Sequence, residues 1–270
     1  MSLLSSLPVF LSGLLPVFLV MAFIALAELV IPLHKRGAGG RRVRINLALM
    51  MLTLGLNFFL SILLVTMLAY GRTQGWSLIS LDNEWLDILL VIVVLDFATW
   101  LAHLMLHKVP YLWRLHLVHH TDSLVDVTTS FRQHPGEGAW RFVVIAIFAM
   151  GLGATPEAVA AYRALSALNA LFEHGNFRVV SWVDRLLALL WVTPNFHKLH
   201  HSSDQTETDT NYGNLLPVFD RAFRTYTSPQ GAASVHYGIV SYPDASNMSL
   251  GQILRLPFMR REKGKLRPPS

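Results

Sequence analysis

Ten of the chain's 12 histidines lie between His103 and His201, and most of them fall into three short runs. The first run is His103 and His107, the second is His116, His119 and His120, and the third is His197, His200 and His201. At about 100° per residue, positions i, i+3 and i+4 of a helix share a face, so each run, if helical, can offer its imidazoles to one centre. Neutral imidazole is the commonest metal-ligating side chain. A single HxxxH is weak evidence and a lone histidine is more often a satisfied core or surface group, but three such runs in one small chain point to metal. One ion takes roughly three to six ligands, so eight or more histidines imply two ions. Imidazole suits iron, zinc, copper and nickel alike, and the spacing does not choose among them.

His134 and His174 stand singly between the second and third runs, while His34 and His236 lie outside the stretch and read as bystanders. Asp96 precedes His103 by seven positions and His107 by eleven, which puts it on their helix face. A carboxylate inside an apolar helix is costly and functional by default, and Asp96 is placed to accept a hydrogen bond from a ligand histidine. There is no cysteine, which removes disulfides, thiolate zinc sites, iron–sulfur clusters and cysteine nucleophiles.

The elements that must carry these residues are membrane helices. Charged residues make up only 14% of the 270-residue chain and apolar ones 53%, against about 25% charged in a soluble domain. Residues 7–32, 45–70 and 85–106 are long apolar spans, with Pro8 expected to mark the start of the first and Pro16 a kink in it. Residues 139–153 and 157–172 are two shorter apolar stretches that form either a re-entrant hairpin or two tilted spans. The basic loop 33–44, with Lys35, Arg36, Arg41, Arg42 and Arg44, is expected on the cytoplasmic side, and the 71–84 loop, with Asp82 and Glu84, on the other. That orientation delivers all three histidine runs to one membrane face. Residues 182–193 suggest an interfacial amphipathic helix with Asp184 and Arg185 on its polar side, and the tail from 255 to 270 is strongly basic. The expectation is a single all-α polytopic membrane domain over 1–270, with about four transmembrane helices, two of them within 1–84, and a cytoplasmic histidine-rich helical cap. The net charge of +5 sits in short runs beside apolar segments, so it orients the chain in a membrane and does not mark a nucleic-acid surface.

From Asp96 to Tyr226 the chain resembles the fatty acid hydroxylase/sterol desaturase superfamily, specifically its bacterial sterol-desaturase-like branch. The resemblance goes beyond histidine spacing. It includes His119-His120-Thr121-Asp122, the stretch from Asp126 through Arg132-Gln133-His134-Pro135-Gly136-Glu137, Glu173-His174-Gly175-Asn176, Thr193 to Ser202, and Thr210-Asn211-Tyr212-Gly213-Asn214. It implies a membrane-bound di-iron oxygenase that hydroxylates or desaturates a lipid using O2. The implied iron ligands are His103, His107, His116, His119, His120, His174, His197, His200 and His201. His134 and Asp96 would be a tenth ligand or residues that hold ligands, and Arg132 and Glu137 would be structural or would bind a polar lipid head or a cofactor. Two departures stand out. Leu104 occupies a position where relatives often carry arginine, and Arg224 replaces a glycine, which puts a turn there in doubt.

No GxGxxG loop is present to hold a nicotinamide or flavin. Electrons must therefore come from a separate donor, a reductase, ferredoxin or cytochrome, and the bacterial inner membrane is the expected location. Three other readings compete. A membrane zinc hydrolase of lipid amides or esters would want a water-activating carboxylate, and no HExxH is present. A pterin-dependent ether-lipid monooxygenase is suggested by Thr129 to Gln133, which is similar to the alkylglycerol monooxygenase branch. A metal transporter would spread its ligands through the membrane midplane, often across repeated halves, and no repeat is visible.

Overall fold

The computed structural model describes residues 3–35, 39–76, 83–239, 242 and 245–259. Among these residues there is no strand, only two isolated bridges, Pro32 with Phe177 and Ser202 with Tyr237. The fold is all-α, as the sequence suggests. Its main helices are α1 (Leu3–Val30), α2 (Gly40–Thr73), α3 (Glu84–Lys108), α4 (Pro110–His120), α5 (Pro135–Leu152), α6 (Pro156–His174), α7 (Ser181–Leu187) and α8 (Pro194–His200). Four segments are long and apolar enough to cross a membrane: Leu11–Val30, Gly40–Thr73, Glu84–Lys108 and Pro135–Leu152. Leu19, Phe23 and Leu26 of α1, Met51 and Phe59 of α2, and Ile147 of α5 all face outward. Such an apolar belt fits lipid as its solvent.

Local chemistry sets the helix starts. Proline occupies the first turn of α4, α5, α6 and α8, where its missing N–H costs nothing and its fixed φ suits the helix. Asn83, Thr155 and Thr193 each cap the helix that follows with a side-chain oxygen. Gly153, at φ 69°, closes α5 in the left-handed conformation and turns the chain back into α6.

Helix α3 is the centre of the bundle, packing against α5 and α6 along its length and against α4 at its end. Leu64 and Leu68 of α2, Val91 and Leu95 of α3, Ala146 and Ala149 of α5 and Val159 of α6 form the apolar core at the end far from the histidines. At the other end α4 and α8 cap the bundle. They are tied down by a buried polar layer. Glu28 of α1 accepts from the backbone N–H groups of Val127 and Asn176. Arg42 donates to both carboxylate oxygens of Asp122 and pairs with Asp126.

Several expectations need correction. Helix α1 starts at Leu3 and runs through Pro8 as well as Pro16, so Pro8 does not mark its start. Arg42 is a buried partner of two aspartates and not part of a free basic loop, because α2 begins at Gly40 and turns that side chain inward. The interfacial helix is shorter than expected, seven residues from Ser181, and Asp184 is buried within it, while Trp182, Leu186 and Leu190 are exposed. Arg224 keeps the turn that a glycine was expected to need, at φ 60°. Arg36, Asp82 and the tail from 260 to 270 lie outside the described residues.

Candidate metal centre

The nine histidines carried over from the resemblance all meet in one buried layer, in two groups. His103, His107, His116, His120 and His200 form one, and His119, His174, His197 and His201 the other; within each group one ring nitrogen per residue lies within 4.8 Å of all the others. The groups abut, since the His120 and His201 rings stack at 4.7 Å and those of His116 and His119 stack at 5.1 Å. His34 and His236 stand in neither group.

The expectation that each HxxHH run serves a single centre is overturned. In α4, His116 and His120 enter the five-histidine group while His119 enters the other; in α8 and its C-cap, His197 and His201 enter the four-histidine group while His200 crosses to the first. The cause is helical geometry. Positions i+3 and i+4 fall on opposite sides of position i, about 100° apart, so a helix facing two centres splits its run between them. Each of these two helices bridges both groups.

Within each group the Nε2 atoms converge. His116 Nε2 lies 3.0 Å from His103 Nε2 and 3.2 Å from His120 Nε2. In the second group His174 Nε2 is 3.1 Å from the Nε2 atoms of His119 and His197 and 3.2 Å from that of His201. The opposite ring nitrogens explain the orientation. The Nδ1–H groups of His103, His119, His174 and His200 donate to the carbonyls of Tyr212 (2.9 Å), Arg132 (3.3 Å), Ala170 (2.6 Å) and Thr210 (2.8 Å). A carbonyl can only accept, so the proton sits on Nδ1 and the Nε2 lone pair points inward, the tautomer a metal requires. Glu137 Oε1 stands 3.0 Å from His116 Nδ1, and Asp209 Oδ1 stands 3.6 Å from His107 Nδ1.

The donor set fits a pair of cations. His107 Nε2 and His200 Nε2 are buried and have no hydrogen-bond partner, a condition native proteins rarely tolerate unless an ion or water completes it. Burial, reinforced by neighbouring rings, pushes His116, His119, His120, His197 and His201 well below the usual histidine range. Burial likewise takes His174 down to about 3 and His200 to about 4. These rings are neutral at ordinary pH and free to bind metal.

Asp96 and His134 are placed elsewhere. Asp96 accepts from the backbone N–H groups of Leu215 and Leu216 and from Asn214. Beside it Asp220 accepts from the N–H groups of Tyr212 and Gly213 and from Trp100. The two carboxylates hold the 211–216 loop, and that loop presents the Tyr212 carbonyl to His103, so Asp96 acts on His103 only through this loop. His134 caps α5, its Nδ1 accepting from the Gly136 N–H, and its ring meets Phe258. Arg132 is almost fully buried and donates to the Val118 carbonyl, Asn46 and Thr121, bracing the end of α4.

A cavity of about 260 Å³ opens beside the second group and runs between α2, α3, α5 and α6. Helix α6 presents Arg163, Ser166, Ala167, Ala170, Glu173 and His174 to it, a single face at three- and four-residue spacing. Across from them stand Thr53, Asn57, Leu60 and Leu64 of α2 and Gly138, Arg141, Phe142 and Ile145 of α5. Arg141 and Arg163 were not singled out from sequence. They sit inside apolar stretches, and an intramembrane charge was the available signal.

The sequence model of the fatty acid hydroxylase family matches residues 88–225. The chain is 28% identical over 180 residues to the ornithine lipid hydroxylase OlsE of Rhizobium tropici, covering 67% of this chain and 53% of that protein. It is 26% identical to the alkylglycerol monooxygenase of Caenorhabditis elegans, covering 64% of this chain and 34% of that one. It is 27% identical to a cholesterol 25-hydroxylase-like protein of Danio rerio, covering 52% and 55%. The matched part thus spans about half, or less, of each relative. No solved structure matches the chain.

Proposed function

Because the chain belongs to the fatty acid hydroxylase family, we propose that it is a membrane-bound di-iron oxygenase that hydroxylates or desaturates a lipid. The observation that carries this reading is the pair of adjoining histidine groups, their Nε2 atoms turned inward, opening onto a cavity between membrane-type helices. His103, His107, His116, His120 and His200 would hold one ion, and His119, His174, His197 and His201 the other. When bound and supplied with electrons by a separate donor, the irons would activate O2, the oxidant, for attack on an unactivated C–H bond.

The chain's own residues supply the rest. Four backbone carbonyls hold four of the rings in one tautomer and one orientation, and the Glu137 carboxylate stands against a fifth, His116. Small residues on α6, namely Ser166, Ala167 and Ala170, leave room for a chain to approach His174 and His197. The surrounding apolar helices admit a lipid and keep bulk water out, which limits wasteful side reactions. The reading carries an orientation, with the histidine end at the cytosol in a bacterial inner membrane. It is supported by exposed Lys35, Arg41 and Arg44 at that end.

The test is lipid analysis of cells with and without the chain, grown under ¹⁸O2. A lipid that gains ¹⁸O, or a double bond, only with the intact chain, and not with His119→Ala or His200→Ala, is the expected result. An unchanged lipid profile with both metal positions filled would overturn the reading.

A further inference from the structure

We propose that Arg163 is the anchor for an anionic oxygen group, a carboxylate or phosphate, on the lipid that enters the cavity. The proposal rests on the lipid-oxidising reading and adds to it the chemical class of the substrate's polar end.

Three observations carry it. Arg163 lines the cavity from within the helix bundle. Its one hydrogen bond among the described residues is from Nη1 to the Ser61 hydroxyl at 2.8 Å, and no carboxylate stands against it. The cavity's other guanidinium, Arg141, is already engaged, since its Nε donates to Glu137 Oε1 at 3.0 Å. A guanidinium carries five donors and stays charged in proteins. One left unpaired among apolar helices is expensive unless a partner arrives. The carboxyl that shares this face of α6, Glu173, lies ten residues on, at the histidine end. Arg163 therefore stands as a cavity cation with no carboxylate partner among the described residues, at the end away from the histidines.

Position matters as much as charge. Arg163 and His174 are eleven residues apart on the same face of α6, about 16 Å along the helix axis. Between them Ser166, Ala167 and Ala170 leave the wall low. An oxyanion held at Arg163 thus fixes how far along the chain the carbon presented to the histidine layer lies. Arg163 becomes the residue that selects both the head and the position of attack.

The experiment measures binding by the full chain in nanodiscs, without iron or O2, using palmitate, hexadecanol and a lysophosphatidate as probes. The intact protein is expected to bind palmitate or lysophosphatidate roughly tenfold or more tightly than hexadecanol. Whichever anion is preferred identifies the source as carboxylate or phosphate. Arg163→Gln is expected to abolish that preference, while Arg163→Lys keeps part of it. Both variants are expected to bind metal as the intact chain does, because residue 163 lies far from the rings, and metal binding checks that they fold. An intact protein without anion preference, or a well-folded Arg163→Gln that retains it, would overturn the proposal. Failure of the oxidation reading would show separately, as absent ¹⁸O incorporation with anion binding intact.

Discussion

At the scale of single residues, the site depends on what stands behind each imidazole. Glu137 is fully buried, touches His116 Nδ1 and also accepts from Arg141, so it joins a ring of the histidine layer to the cavity wall. Partners of this kind raise ligand basicity, and losing one typically lowers metal affinity about 10- to 100-fold. Glu137→Gln is expected to weaken iron binding by that order in a chelator competition; unchanged affinity would remove Glu137 from the account. The rings themselves predict a pH dependence. His200 and His174 are held neutral by burial at about 4 and about 3, against about 6.5 in an unfolded chain. Between those values the unfolded chain takes up protons that the folded one refuses, so stability falls as pH drops through this window. The metal-free protein is expected to melt at progressively lower temperature from pH 6.5 to 4, and a flat profile would contradict the burial of the layer.

At the scale of elements, the structure answers a question that the sequence raises. Arg224 stands where a glycine is usual, and it takes the left-handed conformation at φ 60° with its N–H held by the Arg221 carbonyl. A side chain there costs about 1 kcal/mol relative to glycine. Arg224→Gly is therefore expected to stabilise the chain by about that amount, read as a higher denaturant midpoint in detergent. Asn211, at φ 59°, needs no such relief, because asparagine tolerates this region and its side chain bonds the Phe196 carbonyl. The splitting of each HxxHH run belongs to this scale too. The spacing announces three imidazoles on one side of a helix; the facing of α4 and α8 decides that the side is shared by two groups.

At the scale of the whole molecule, the spans and the nine converging histidines were legible because each leaves a strong periodic or compositional mark. Apolar length announces α1, α2 and α3, and the histidine runs need only lie at one end of those helices to meet. What was not legible came from tertiary partners. Asp96 lies on the same helix face as His103, yet backbone N–H groups 119 and 120 positions away claim its carboxylate. Arg42 reads as an orientation charge until Asp122 and Asp126 are found beside it. Arg141 and Arg163 become cavity residues only once α5 and α6 both pack against α3. The central claim concerns the histidine layer as a unit, and metal analysis of the purified chain tests it most directly. The account predicts two irons per chain, with His107→Ala and His197→Ala each removing iron from one of the two groups while the chain still inserts in the membrane. A single zinc per chain, undisturbed by either substitution, would contradict it.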